Sequence, residues 1–358
     1  MASSSSSILY AGFLVVLWSG ALYANGCYPS IISFGDSIAD TGNRKQLATI
    51  TDNIRFSCLP PYGQNFIGQS TGRCSNGCLI IDFLAESLGL PLIPPYFNIK
   101  GSLGGVRQGV NYAVAGATAV NSSFIQARSS GGVVINASLE SLPFVCGNIT
   151  SSDCRNFIGH SLILVGEIVM GEIGGNDYNF LLSEGKTIDE VQSYVQIVVD
   201  TIVSVVNEFI EMGARTLVVS GNFPIGCSSR IFDNICVRML QTNLNKIREL
   251  NPNVVIIYAD YYNAAIQIYH SPDEYGFTNG GLKACCGGGG PFNYNASAKC
   301  GDVSTTICDE PDTYVSWDGS HLTEAAYKLI SNSLFHGPYT TPKFYPLCST
   351  TSTSQSAA

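Results

Sequence analysis

Basic residues, histidine and long uninterrupted apolar runs are all scarce in this chain. Lys and Arg together number 18 in 358 residues, against 27 Asp and Glu, for a net charge of −9. No basic run occurs, which speaks against a nucleic-acid partner, whose phosphates demand clustered Lys and Arg. Only four histidines are present, and none flanks a cysteine at zinc-finger spacing. Zinc at Cys74-x-x-x-Cys78 or Cys285-Cys286 is therefore a minor reading. Past the N-terminal segment, no stretch reaches membrane-helix length without a polar interruption, so no stable membrane span is expected. No long low-complexity linker divides the chain either, which points to one large domain.

What is present fits a globular protein made for an oxidising compartment. Hydrophobic residues make up 45% and charged ones 13%, values of a folded chain rather than a disordered one. Ile8 to Trp18 is apolar but too short to span comfortably, and Ala24-Asn25-Gly26 fits a small-x-small cleavage site. Residues 1–26 are read as a secretory signal peptide, although that stretch carries no Lys or Arg. Thirteen cysteines suit disulfides, and the odd number leaves at least one unpaired or paired between chains. Four Asn-x-Ser/Thr sequons, at Asn121, Asn136, Asn148 and Asn295, agree with secretion and glycosylation. The domain is placed at 27–348, and the Ser-rich end, 349–358, is expected to be disordered. Oligomeric state is not legible.

Short apolar runs alternate with helical patterns. Ile31–Phe34, Asn111–Val114, Leu162–Val165, Leu217–Val219 and Val254–Tyr258 read as strands. Leu79–Leu88, a segment opening at Thr187, a short segment from Leu244 to Leu250, and Thr323–Leu334 read as helices. Thr187-Ile188-Asp189-Glu190 has capping-box spacing. Apolar residues then recur at helical spacing from Val191 to Ile210, and Gly213 supplies a left-handed stop. Nearly continuous apolar strands between helices predict an α/β fold, a three-layer α/β/α sandwich with a mainly parallel sheet. Ser37, Gly116 and Asn176 each follow a strand candidate. That would gather them at the carboxyl edge of the sheet, where such folds bind ligands.

These positions carry the chemistry. A serine hydroxyl is a weak nucleophile until a base takes its proton and a third group orients that base. Ser37 in Phe34-Gly35-Asp36-Ser37 is the nucleophile candidate. His321 is the base, and Asp318, three residues earlier, is the carboxylate that a short turn brings to its ring. Acyl transfer also needs donors aimed at the developing oxyanion. The Ser37 and Gly116 backbone amides and the Asn176 side chain can supply them. Each motif alone is an ordinary turn; their combination in this order is specific. The Gly-x-Ser-x-Gly elbow of α/β-hydrolases is absent around Ser37.

Four blocks resemble the plant GDSL esterase/lipases of the SGNH hydrolase superfamily. They are Phe34-Gly35-Asp36-Ser37 with Asp40-Thr41-Gly42-Asn43, Gly109 to Thr118, Gly174-Gly175-Asn176-Asp177, and Asp318-Gly319-Ser320-His321. The likeness runs from about Tyr28 to Tyr345 and takes in Gly221 to Cys227, Tyr258 to Asn263 and Cys285-Cys286-Gly287. It implies Ser37, Asp318 and His321 as the catalytic residues and Ser37, Gly116 and Asn176 as the oxyanion hole. It also implies hydrolysis of carboxylic esters of small molecules, with no metal or organic cofactor. Within the family the chain is similar to the branch of acetylajmalan esterase and sinapine esterase. An acyltransferase using the same acyl-enzyme, and an impaired homologue acting as a binding protein, stay open as alternatives.

Three departures from the family pattern stand out. Gly166-Glu167-Ile168 recurs as Gly171-Glu172-Ile173, an insertion that either loops out or displaces Asn176. The segment after Cys227 is shorter than in relatives, and the helix before Asn251 is expected to be short. Cys78 stands where relatives commonly carry Arg and is the candidate odd thiol.

Overall fold

A computed structural model describes residues 28, 30–51, 58–66, 69–99, 108–127, 167–224 and 230–344. The signal segment 1–26, the sequons at Asn136 and Asn148, the strand expected at Leu162–Val165 and the tail 349–358 lie outside them. The fold is mixed α/β. In chain order the strands are β1 (Ile31–Phe34), β2 (Gly109–Asn111), β3 (Glu167–Met170), β4 (Thr216–Ser220), β5 (Val255–Ala259), β6 (Cys286–Gly287), β7 (Thr306–Ile307) and β8 (Thr340–Thr341). The helices are α1 (Asn43–Thr51), α2 (Ile80–Ser87), α3 (Ser122–Gln126), α4 (Gly175–Ser183), α5 (Ile188–Gln192), α6 (Val195–Glu211), α7 (Arg230–Leu250), α8 (Tyr261–His270) and α9 (Glu324–Phe335).

Six strands form one sheet in the order β2-β1-β3-β4-β5-β8. The first five run parallel, and β8 pairs antiparallel at the edge beside β5. β6 and β7 make a separate antiparallel piece. Successive strand residues face opposite sides, and both sides are apolar. Ile32, Phe34, Leu217, Val219, Ile256 and Tyr258 join one core with α6 and α7. Ile31, Val218, Ile257 and Ala259 join the other with α2, α8 and α9. This two-sided burial explains why the strands read as continuous apolar runs.

α6 shows how the packing arises. Val195, Val198, Val199, Ile202, Val205, Val206 and Phe209 recur at helical spacing and are all buried, each contributing roughly 1.5–3 kcal/mol of apolar burial. By length and composition, Ile188–Glu211 would suffice to cross a membrane. Its apolar stripe is instead the floor of the sheet's core. The expected single helix from Thr187 is broken. The Thr187–Glu190 capping box forms as read, but Ser193 Oγ bonds the Glu190 carbonyl at 2.6 Å. Ser193 and Tyr194 amides then reach back only three residues, to Glu190 and Val191, and the chain restarts as α6.

Two other expectations are corrected. The second strand is Gly109–Asn111, because Asn111 turns its side chain onto the Ala39 carbonyl and the Ala113 amide and ends the regular ladder. The helix before Asn251 is not short: α7 runs 21 residues, and its Leu240, Leu244 and Ile247 are buried against the core. Beside β1, opposite β2, lies β3, paired as Ile32↔Ile168 and Phe34↔Met170.

Candidate active site

Because β1, β2 and β3 are parallel neighbours, their carboxyl ends emerge together, carrying Ser37, Gly116 and Asn176. Ser37 lies half-buried in a single helical turn after β1. The turn is closed by the Asp40 amide on the Asp36 carbonyl at 2.9 Å, and the Ile38 amide donates to Asp36 Oδ1 at 3.0 Å. Gly35, with φ +145°, makes the sharp entry; a Cβ there would sit 3.0 Å from the Glu172 carbonyl oxygen.

The motif residues around Ser37 form a buried lattice. Asp40 accepts from the Gly42, Asn43 and Arg44 amides, starting α1, and from the Ala115 amide at 2.8 Å. Asn43 Nδ2 donates to the Asn111 and Ala113 carbonyls. Asp177 accepts from the Ala119 and Val120 amides at 2.8 and 3.0 Å. Together they tie the β1, β2 and β3 loops to one another. Among the described residues, the Ser37 and Gly116 amides meet no acceptor, and Gly116 has φ +84°.

Asn176 sits in the first turn of α4. The insertion does not carry it away. The chain is anchored after β3, where Gly171 N donates to the Phe34 carbonyl at 2.8 Å and Asp36 N to the Glu172 carbonyl at 3.0 Å. Asn176 Nδ2 donates to Asp36 Oδ2 at 3.0 Å and to the Ala117 carbonyl at 2.9 Å.

Asp318 and His321 share one tight turn before α9. Trp317 N bonds the His321 carbonyl at 2.8 Å, and Gly319 adopts φ +91°. His321 Nδ1 lies 2.7 Å from Asp318 Oδ2. Asp318 Oδ1 accepts the Ser320 and His321 amides at 2.8 and 2.7 Å. Burial works to raise the Asp318 carboxyl, but the His321 charge and these donors outweigh it and hold it at about 2. Burial works to lower the His321 imidazole, yet the Asp318 carboxylate, helped by the charge of Asp36, raises it above its ordinary value. Asp36 is pushed up to about 7 by burial, against the Ile38 amide and the His321 charge. The two ends of the chain thus meet electrostatically beside Ser37.

Two participants were not foreseen. Tyr62 Oη donates to Asp318 Oδ2 at 2.7 Å. Glu172 is buried, with Oε1 accepting from the Phe223 amide at 3.1 Å, and burial together with the Asp36 charge raises its carboxyl well above the usual range. The repeat of Gly-Glu-Ile was the only sequence signal for Glu172. Tyr62 had none beyond its Pro-Pro loop. A cavity of about 540 Å³ lined by Lys283, Phe292, Ile307 and Tyr314 lies elsewhere, and none of Ser37, Gly116, Asn176 or His321 lines it.

Of the cysteines read as rival zinc ligands, Cys74, Cys285 and Cys286 are in disulfides, Cys58–Cys74, Cys285–Cys308 and Cys286–Cys300, and Cys78 is not. Among the described residues no group of three His, Cys, Asp or Glu could hold a metal. Cys78 is a half-buried free thiol, raised by burial and by Asp82 and Glu324. Asn295 is exposed in a turn with Oδ1 on the Ser297 amide, and Asn121 caps α3.

The sequence profile of the GDSL-like lipase/acylhydrolase family matches residues 31–334. One GDSL esterase/lipase of Arabidopsis thaliana is 46% identical over 348 residues, covering 88% of this chain and 86% of its own. A second is 46% identical over 353 residues, covering 90% and 85%. A third is 40% identical over 380 residues, covering 96% and 97%. The chain belongs to the GDSL esterase/lipase family, whose members are carboxylic ester hydrolases.

Proposed function

We propose that the protein is a secreted serine esterase with the three-layer SGNH architecture, acting through an acyl-enzyme on Ser37. The observation that carries this reading is the 2.7 Å His321–Asp318 contact, with His321 within electrostatic reach of Asp36, the residue before Ser37. Ser37 Oγ attacks the ester carbonyl carbon while His321 Nε2 takes the hydroxyl proton. The resulting imidazolium is stabilised by Asp318. The oxyanion is met by the Ser37 and Gly116 amides. Asn176 joins them by turning one amide proton from its resting acceptor, Asp36 or Ala117. Collapse expels the alcohol, which receives the proton from His321, and leaves the acyl group on Ser37. Water, deprotonated by His321, attacks the acyl carbonyl and regenerates the hydroxyl.

Esters of short-chain acids or of specialised metabolites are the substrates this reading favours, on the likeness to the acetylajmalan and sinapine esterase branch. Secretion rests on the N-terminal segment and the disulfides, with glycosylation at Asn121, Asn136, Asn148 and Asn295. The test is hydrolysis of a short-chain nitrophenyl ester by purified protein beside Ser37→Ala. The variant should lose at least ~10⁴-fold in kcat with an unchanged melting temperature. Activity surviving in Ser37→Ala would rule the acyl-enzyme out. Product analysis with an added acceptor alcohol separates hydrolysis from acyl transfer.

A further inference from the structure

Asp318 is saturated in an unusual way. Its two oxygens accept four hydrogen bonds: the Ser320 and His321 amides on Oδ1, and His321 Nδ1 and Tyr62 Oη on Oδ2. The first three come from its own turn. The fourth comes from 256 residues away and lands on the oxygen that faces the imidazole. The phenol is kept as a donor, because burial and the charges of Asp318 and Asp302 raise it far above its ordinary range.

The loop bearing Tyr62 is held firmly. Its amide bonds the Leu59 carbonyl at 3.0 Å, and the Cys58–Cys74 disulfide joins the two sides of the segment that contains it. Its ring meets Trp317, the residue preceding Asp318, edge-on at 6.0 Å between centroids. Gly301, next to the disulfide-bonded Cys300, packs so closely on this loop that a Cβ would lie 3.1 Å from the Pro60 carbonyl oxygen.

We propose that Tyr62 is a positioning residue for the Asp318–His321 pair. Its hydroxyl locks the rotation of the carboxylate and draws negative charge away from the oxygen that supports the imidazole. Two consequences follow. The imidazole is aimed at Ser37 by a carboxylate that cannot turn. Its basicity is also moderated, so that more of it is neutral and able to act as a base near neutral pH. The other titratable groups facing this cluster are Asp36 on His321, Asp302 on Tyr62 and Tyr327 on Asp318. All stay in place when the Tyr62 hydroxyl alone is removed. This inference rests on the serine-esterase reading above.

The experiment compares wild type, Tyr62→Phe, Ser37→Ala and a protein with 3-fluorotyrosine at position 62, using nitrophenyl ester hydrolysis across pH. Tyr62→Phe should lower kcat about tenfold with KM unchanged. It should also move the acid limb of kcat/KM upward by about one pH unit, since a hydrogen bond to a charged group is lost. The more acidic fluorinated phenol should move the limb the other way, and it decides the matter if Tyr62→Phe folds poorly. Ser37→Ala retaining the wild-type rate would overturn both readings. An inactive Ser37→Ala beside a Tyr62→Phe with wild-type kcat and limb would overturn this one alone, as would a limb that stays put with fluorotyrosine.

Discussion

Around Ser37, the carboxylate of Asp40 and the amides of Asn43 and Asn111 bind backbone groups from separate segments, all beneath the surface. The segment between α8 and α9, which leads to Asp318 and His321, is built otherwise. Its only regular pairing is the two-residue β6–β7 contact. Its core is small, centred on Cys285, Cys286, Tyr314 and Trp317. Leu282, Phe292, Tyr294, Val303 and Ile307 remain exposed. Two disulfides, Cys285–Cys308 and Cys286–Cys300, stand in for the missing apolar interior. The Ser37 side is thus fixed by noncovalent burial within a large sheet, and the His321 side by covalent staples in a small lobe.

The contrast can be broken in stages. His321→Ala should remove the base without touching either scaffold. It should cost ~10⁴-fold or more in kcat, equivalent to about 5.5 kcal/mol, with the melting temperature retained. In the wild type, kcat/KM should fall as acid protonates His321. Because the neighbouring carboxylate raises this group, the midpoint should lie above the ordinary histidine value of 6.5. A midpoint below it would contradict the Asp318 contact.

Asp40→Ala should come next, acting on stability. Four amides lose their buried acceptor, for an expected loss of about 4 kcal/mol. Denaturant unfolding should remain a single transition, since the lattice belongs to the main sheet. Replacing Cys286 and Cys300 by Ser should cost less, about 3 kcal/mol for a loop with a separation of 14 residues. Here the loss should be local. Hydrogen exchange should quicken between α8 and α9 while the strands stay protected. Uniform loss of protection would show the lobe and sheet to be one cooperative unit.

Much of the sheet side was legible because its signals are local. Ile31–Phe34 followed by Gly35, and the Thr187–Glu190 box, declare themselves within a few residues. The candidate catalytic turn Asp318–His321 is equally compact. What escaped was long-range or depended on length. Tyr62 reaches Asp318 across most of the chain, and nothing in Pro60-Pro61-Tyr62-Gly63 announces a partner. α7 was expected to be short from a comparison of segment lengths, although Leu240, Leu244 and Ile247 already had helical spacing. The break at Ser193 turns on a hydroxyl choosing a carbonyl, a choice that hydrophobic periodicity does not report.

The repeated Gly-Glu-Ile has a bearing on how such a chain can change over generations. β3 is paired along its length with β1 and β4, and its downstream end is fixed further where Gly171 and Glu172 fasten onto Phe34 and Asp36. A five-residue repeat placed upstream of this anchor leaves the spacing from Glu172 to Asn176 unchanged. The junction behaves as a measuring point with fixed length ahead of it, so a copying slip behind the anchor leaves the stretch that leads to Ser37's neighbours at its full length.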